Sequence, residues 1–137
     1  MSNEQIIQLA LVDDSVPMRH FLAGYLATHS FNIVIEADNG EELLARLDES
    51  GQLPDICLVD GHMPVMDGFE TARRVKEKFP FILVAGYSFM VDEGTVGRFT
   101  DFGADGFISK ESSPAEVAAA LRVLYSSVQS GGAEPEP

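Results

Sequence analysis

Apolar and polar residues fall in blocks along this chain, and the blocks switch between strand-like and helix-like spacing. Residues 6–12, Ile-Ile-Gln-Leu-Ala-Leu-Val, form a short apolar run that ends in Asp13-Asp14 and reads as a strand. Ser15 stands where it would cap a helix, and Met18, Leu22, Tyr25, Leu26 and His29 then recur on one face. Pro17 is tolerated there because the first turn has no intrahelical N–H bonds to lose. Residues 31–37 mix β-branched and polar side chains and predict a strand at a sheet edge. Asp38-Asn39-Gly40 is a turn, followed by a helix over 41–49 that presents Leu43, Leu44 and Leu47.

After a break at 51–54, residues 55–60 carry an apolar core closed by Asp60, the pattern of a central strand. Residues 61–68 hold a proline and two glycines and predict a shaped loop. Phe69, Ala72, Val75 and Phe79 space as one helical face ended by Pro80, and residues 81–85 predict a fourth, buried strand. Residues 90–102 contain Gly94, Gly97 and two threonines, poor helix formers, so a ragged crossover helix is expected. Residues 106–109 predict a fifth strand. Ser113-Pro114-Ala115-Glu116 is a capping box before a stripe of Val117, Leu121, Leu124, Tyr125 and Val128.

Five alternations of strand and helix predict an α/β fold: a five-stranded parallel sheet, doubly wound, with helices on both faces. A length of 137 residues fits one domain, taken as residues 1–129. The Gly-, Glu- and Pro-rich residues 130–137 are expected to be a disordered tail or linker stub. Nine basic residues against 22 acidic ones give a net charge of −13, which argues against binding nucleic acid or an anionic membrane surface. Cys57 is the only cysteine and sits in an apolar run, so it reads as a small buried hydrophobe. The chain shows no basic-then-apolar leader and no long apolar run, and a cytoplasmic location is expected.

Parallel sheets of this kind place their sites beyond the carboxyl ends of the strands, where Asp13, Asp14, Asp60 and Lys110 all fall. Three converging carboxylates need a cation, and hard oxygen donors with room for water or phosphate suit Mg²⁺. A carboxylate can attack phosphorus, and a lysine can balance charge on the transferring oxygens. His20, His29 and Cys57 fall in no metal-ligand spacing.

Several motifs taken together resemble the response-regulator receiver domains of two-component signalling, of the single-domain CheY type, over about residues 6–128. They are Leu11-Val12-Asp13-Asp14-Ser15, Leu58-Val59-Asp60, Met63-Pro64 with Met66-Asp67-Gly68, Gly103-Ala104 with Gly106-Phe107, and Lys110. The resemblance implies a flavodoxin-like fold and a phosphoacceptor at Asp60, charged by a histidine kinase or phosphotransfer protein. It further implies Mg²⁺ held by Asp13, Asp14, Asp60 and the backbone carbonyl of His62, with Lys110 on the phosphoryl group. The chain would accept and slowly lose its own phosphoryl group rather than turn over external substrates. Output would pass through the fourth helix, fifth strand and fifth helix to an effector protein or output domain, and a homodimer is a further expected partner.

Several positions depart from the family pattern or tune it. The resemblance puts a Thr or Ser at the end of the fourth strand; reading that strand as 81–85 leaves Ala85 there, with Ser88 or Tyr87 as substitutes that would have to reach back. Phosphorylation is then expected to persist with altered switching. A phosphorylation-independent interaction module is the alternative. Phe107 takes the aromatic switch position without a hydroxyl, and His62 and Tyr87 are expected to tune hydrolysis. Glu111 replaces the usual proline after Lys110, a variant resembling receivers joined to DNA-binding output domains. Phe89 and Met90 read as exposed partner contacts or as core. An aspartate-nucleophile phosphatase fits poorly, because such enzymes carry an Asp-x-Asp run on the first strand.

Overall fold

The computed structural model describes residues 5–133. The elements follow as β1 Ile7–Val12, α1 Val16–Ala27, β2 Phe31–Ala37, α2 Gly40–Glu49 and β3 Ile56–Asp60. They continue as α3 Gly68–Lys78, β4 Leu83–Ser88, α4 Glu93–Asp101, β5 Gly106–Ser109 and α5 Pro114–Ala133. Every strand pair is parallel and the spatial order is β2-β1-β3-β4-β5, the doubly wound sheet expected from the alternation. The chain reverses its winding between β1 and β3, and a crevice opens above their carboxyl ends at that point.

Side chains of the strands divide between two cores because successive residues face opposite ways. One face packs Leu9, Leu11, Leu58 and Ile108 against Leu22 and Leu26 of α1 and Val117 and Leu121 of α5. The other packs Val12, Val59 and Val84 against Leu43 and Leu47 of α2 and Ala72 and Val75 of α3. β2 lies at the edge, as its mixed composition predicts.

Helix starts are set by short polar side chains. Asn39, Asp67 and Asp92 accept the N–H groups of Glu42, Glu70 and Thr95. The capping box closes in both directions, Ser113 N–H to Glu116 Oε1 at 2.8 Å and Glu116 N–H to Ser113 Oγ at 3.1 Å. Ser15 differs from expectation: it holds the N-cap position without a side-chain cap bond, and its N–H donates to Asp13 Oδ1 at 2.9 Å.

The fourth strand is the main correction. It begins at Leu83 and runs through Ser88, with Phe81 67% exposed on the turn before it. Ala85 therefore lies within the strand, fully buried in the α1/α5-side core, and is not at the strand end. α5 continues as helix to Ala133, into the stretch expected as tail; residues 134–137 lie outside the described residues. Gly68 is where α3 leaves the site: a Cβ there would collide with the Asp60 carbonyl oxygen and stand 2.8 Å from Gly61 Cα, so only glycine allows the approach.

Candidate functional site

The crevice gathers the residues that the sequence left far apart. Carboxylate oxygens of Asp13, Asp14 and Asp60 come within 4.8 Å of one another, forming an acidic cluster able to hold a divalent cation. Asp13 and Asp60 are buried, whereas Asp14 is exposed. Lys110, just past β5, reaches over the strand ends with Nζ 2.9 Å from Asp13 Oδ2 and 3.2 Å from Asp60 Oδ1. Its ammonium also sits over the ring of Tyr87, 5.3 Å from the centroid.

The donor set fits a hard cation, because three carboxylates converge and the single ammonium of Lys110 offsets only one of their charges. Asp13 Oδ2 is buried and faces Lys110 without hydrogen-bond geometry, while Oδ1 is engaged by Ser15 N–H. A buried carboxylate oxygen without a hydrogen bond is costly unless a charge meets it. Burial pushes the Asp60 carboxyl up from 3.8 to about 6; Lys110 opposes this, Asp13 adds to it, and the His62 N–H to Oδ1 opposes it. Tyr87 is likewise raised by burial and then by the charges of Asp13 and Asp60. Burial drives the Cys57 thiol up to about 12, with Lys76 opposing, which keeps it an inert hydrophobe as expected.

An open cavity of about 310 Å³ leads to Asp60, lined by Asp14, His62, Ser88, Phe89, Met90 and Lys110. Ser88 is thus the hydroxyl at the end of β4; it is buried, and its Oγ accepts the Met90 N–H at 3.0 Å. That bond leaves its O–H to donate. The expectation that Ala85 ends the strand, with Ser88 reaching back, is overturned by this register. Tyr87 is 5% exposed and lies beneath Lys110, while Met90 lines the cavity with His62. Phe89 and Met90 are 56% and 50% exposed, outside the core.

Phe107 on β5 is half-buried and meets Phe99 of α4 at a ring-centroid distance of 5.8 Å. Phe99 is fully buried against β4 at Gly86, where an added Cβ would stand 2.7 Å from its ring. The same ring lies near the Cβ position of Gly61, the residue after Asp60. Phe99 and Arg19 are the residues that sequence reasoning passed over. The signal for Arg19 was present: it falls three residues before Leu22 and seven before Leu26, a charge on the apolar stripe of α1.

Comparisons with known proteins agree with this geometry. The family model "Response regulator receiver domain" matches residues 9–122. The transcriptional activator protein ExaE of Pseudomonas putida is 36% identical over 115 residues, covering 83% of this chain and 53% of its own length. The response regulator protein VraR of Staphylococcus saprophyticus is 32% identical over 120 residues, covering 87% and 56%. The chain spans about half the length of these curated relatives. Among solved structures, the signal receiver domain of the response regulator NarL from Mycobacterium tuberculosis superposes with a TM-score of 0.80 at 28% identity, covering 90% of this chain and 98% of that one. No helix among the described residues is long and apolar enough to cross a membrane. With its aspartate cluster at the carboxyl end of a doubly wound sheet, the chain belongs to the response regulator receiver domains, which accept a phosphoryl group on an aspartate and signal through the α4-β5-α5 face.

Proposed function

We propose that Asp60 is the phosphoacceptor of a cytoplasmic signalling switch, charged by a histidine kinase or phosphotransfer protein and read by an effector protein, an output domain or a second copy. One observation carries this reading: Asp13, Asp14, Asp60, Lys110 and Ser88 meet around one crevice, and the cavity there opens onto Asp60. In the transfer, a carboxylate oxygen of Asp60 attacks phosphorus as the donor's P–N bond breaks, and the imidazole leaves with the electron pair and takes up a proton. Asp13, Asp14, Asp60 and the His62 backbone carbonyl would hold Mg²⁺, which would supply positive charge against the phosphoryl oxygens.

The chain's own residues do the rest. Lys110, already between Asp13 and Asp60, moves its ammonium onto a phosphoryl oxygen. Ser88 donates its hydroxyl to another, drawing the β4 end inward, and Phe107 repacks in response. His62 and Met90 flank the cavity and limit water attack on the acyl phosphate. In this reading Ala85, buried inside β4, has no part in switching, and a phosphorylation-independent module loses its motive.

The test is mass spectrometry after incubation with Mg²⁺ and acetyl phosphate. An added phosphoryl mass on the wild-type chain, absent in Asp60→Asn, is expected; no modification despite cation binding sinks the proposal. Ser88→Ala is expected to keep the modification while losing a hydrogen bond to a charged group, worth about 1.5–3 kcal/mol of switching free energy. Ala85→Thr is expected to bring no gain in switching, only the cost of burying a hydroxyl, about 1–3 kcal/mol.

A further inference from the structure

Arg19 is a buried arginine on the first turns of α1, 7% exposed, directly behind the acid pair. Its Nη1 donates to the Asp13 carbonyl at 2.7 Å, to the Ala37 carbonyl at 3.2 Å and to Asp38 Oδ1 at 2.7 Å. Its Nε donates to Glu36 Oε1 at 3.0 Å. One guanidinium therefore joins Asp13, just past β1, to the end of β2, a planar fork that lysine cannot reproduce.

Besides the Lys110 ammonium on Oδ2, Asp13 is held at three points: its N–H on the Ala37 carbonyl at 3.1 Å, its Oδ1 by Ser15 N–H, and its own carbonyl by Arg19. The Asp14 carboxylate, by contrast, is exposed and takes no hydrogen bond from the described residues. The rigid peptide plane whose oxygen is the Asp13 carbonyl also carries the Asp14 N and Cα, so holding that oxygen fixes where the Asp14 side chain starts. We propose that Arg19 is a positioning residue of the cation pocket, fixing the Asp13–Asp14 peptide and with it the aim of the Asp14 carboxylate. The inference rests on reading the acid cluster as the Mg²⁺ site.

Charge and position act with opposite signs, which separates this role from a merely structural one. Two carboxylates, Glu36 and Asp38, already share the guanidinium charge. Removing that cation leaves more negative charge behind the pocket, so electrostatics alone would tighten Mg²⁺ binding. Loss of positioning weakens it. Partners that orient metal ligands typically account for about 10- to 100-fold in metal affinity.

The experiment is a calorimetric Mg²⁺ titration of the wild-type chain, Arg19→Lys and Arg19→Gln, with thermal unfolding as the check on folding. Both variants are expected to weaken Mg²⁺ binding about 10-fold, and the amide resonances of Asp14 are expected to move in the metal-free Arg19→Lys protein. Unchanged or tighter binding in both folded variants overturns the role. Wild-type protein supplies a readout that survives a variant's failure to fold: the Arg19 guanidinium resonances are expected to shift on Mg²⁺ saturation, and their indifference also overturns it. Wild-type chain that binds no Mg²⁺ removes the cation reading and this inference together. Wild-type binding with insensitive variants removes this inference alone.

Discussion

The two flanks of the phosphoacceptor strand are built from different materials. On the β1–β2 flank, Arg19 ties two strand ends and two carboxylates together with directional hydrogen bonds. On the β4–β5 flank, α4 is seated by contacts between rings. Phe99 meets Phe69 at 4.4 Å and Phe107 at 5.8 Å, and Phe69 in turn meets Phe102 at 6.1 Å. Arg98 lies over Phe69 at 4.2 Å, covering the stack. Hydrogen bonds fix an angle, whereas ring contacts tolerate sliding at little cost. On the proposal above, the flank that aims the cation ligands is the stiffer one, and the α4–β5 flank has the freer packing.

The largest test of this contrast is Phe99→Ala, expected to cost about 3–5 kcal/mol in urea unfolding, since it empties a fully buried site. A much smaller loss would mean that α4 collapses onto Gly86 and that the ring is not what holds this flank. Gly86→Ala is expected to cost about 1–3 kcal/mol by overpacking against Phe99. In the Phe99→Ala background that cost is expected to shrink, with a coupling of about 0.5–3 kcal/mol in the double-mutant cycle. Additive losses would show that the two residues do not share one space.

The pH response probes the joint between the flanks, and its sign is unusual for a carboxylate. Folding raises Asp60 from 3.8 to about 6, so the folded chain keeps that proton to higher pH than the unfolded one. The contribution to metal-free stability is full below 3.8 and is lost as pH rises through about 6. Unfolding curves in chelator are expected to show this fall in the wild type and its absence in Asp60→Asn; equal pH profiles would break the assignment.

The smallest expected effect lies in the loop before α3. Met66 N–H donates to the Pro64 carbonyl at 2.7 Å across Val65, whose φ is 72°, a strained γ-turn for a β-branched residue. Val65→Gly is expected to raise stability by about 1 kcal/mol, after its own unfolded-state entropy is subtracted. A loss instead would mean that the exposed Val65 side chain makes contacts worth more than the strain.

Most of the fold was legible because period and punctuation agreed: β3, β5 and the capping box of α5 stand where the residues put them. β4 was misread by its punctuation. Gly86 interrupts the apolar run from Phe81 to Ala85, and a glycine inside a strand reads as an end. The glycine is instead the seat of Phe99, thirteen residues further on, a reason that no local window contains. The shift carried the hydroxyl position from Ala85 to Ser88. Arg19 was missed for a related cause, since a charge on a helix is by default assigned to solvent, and its four acceptors come mostly from β2 and the turn after it. The acids and Lys110 were legible because each closes or follows a strand.

The attachment of Lys110 to both Asp13 and Asp60 has a bearing on what a reader of this surface would sense. Three carboxylates and one ammonium leave the resting crevice with two uncancelled negative charges once Asp60 is ionised. A divalent ion cancels both. Converting the Asp60 carboxylate to an acyl phosphate then replaces one negative charge with nearly two, against a background already brought to zero. The message written at Asp60 is therefore the appearance of charge where there was none, a contrast that a crevice left at minus two could not offer.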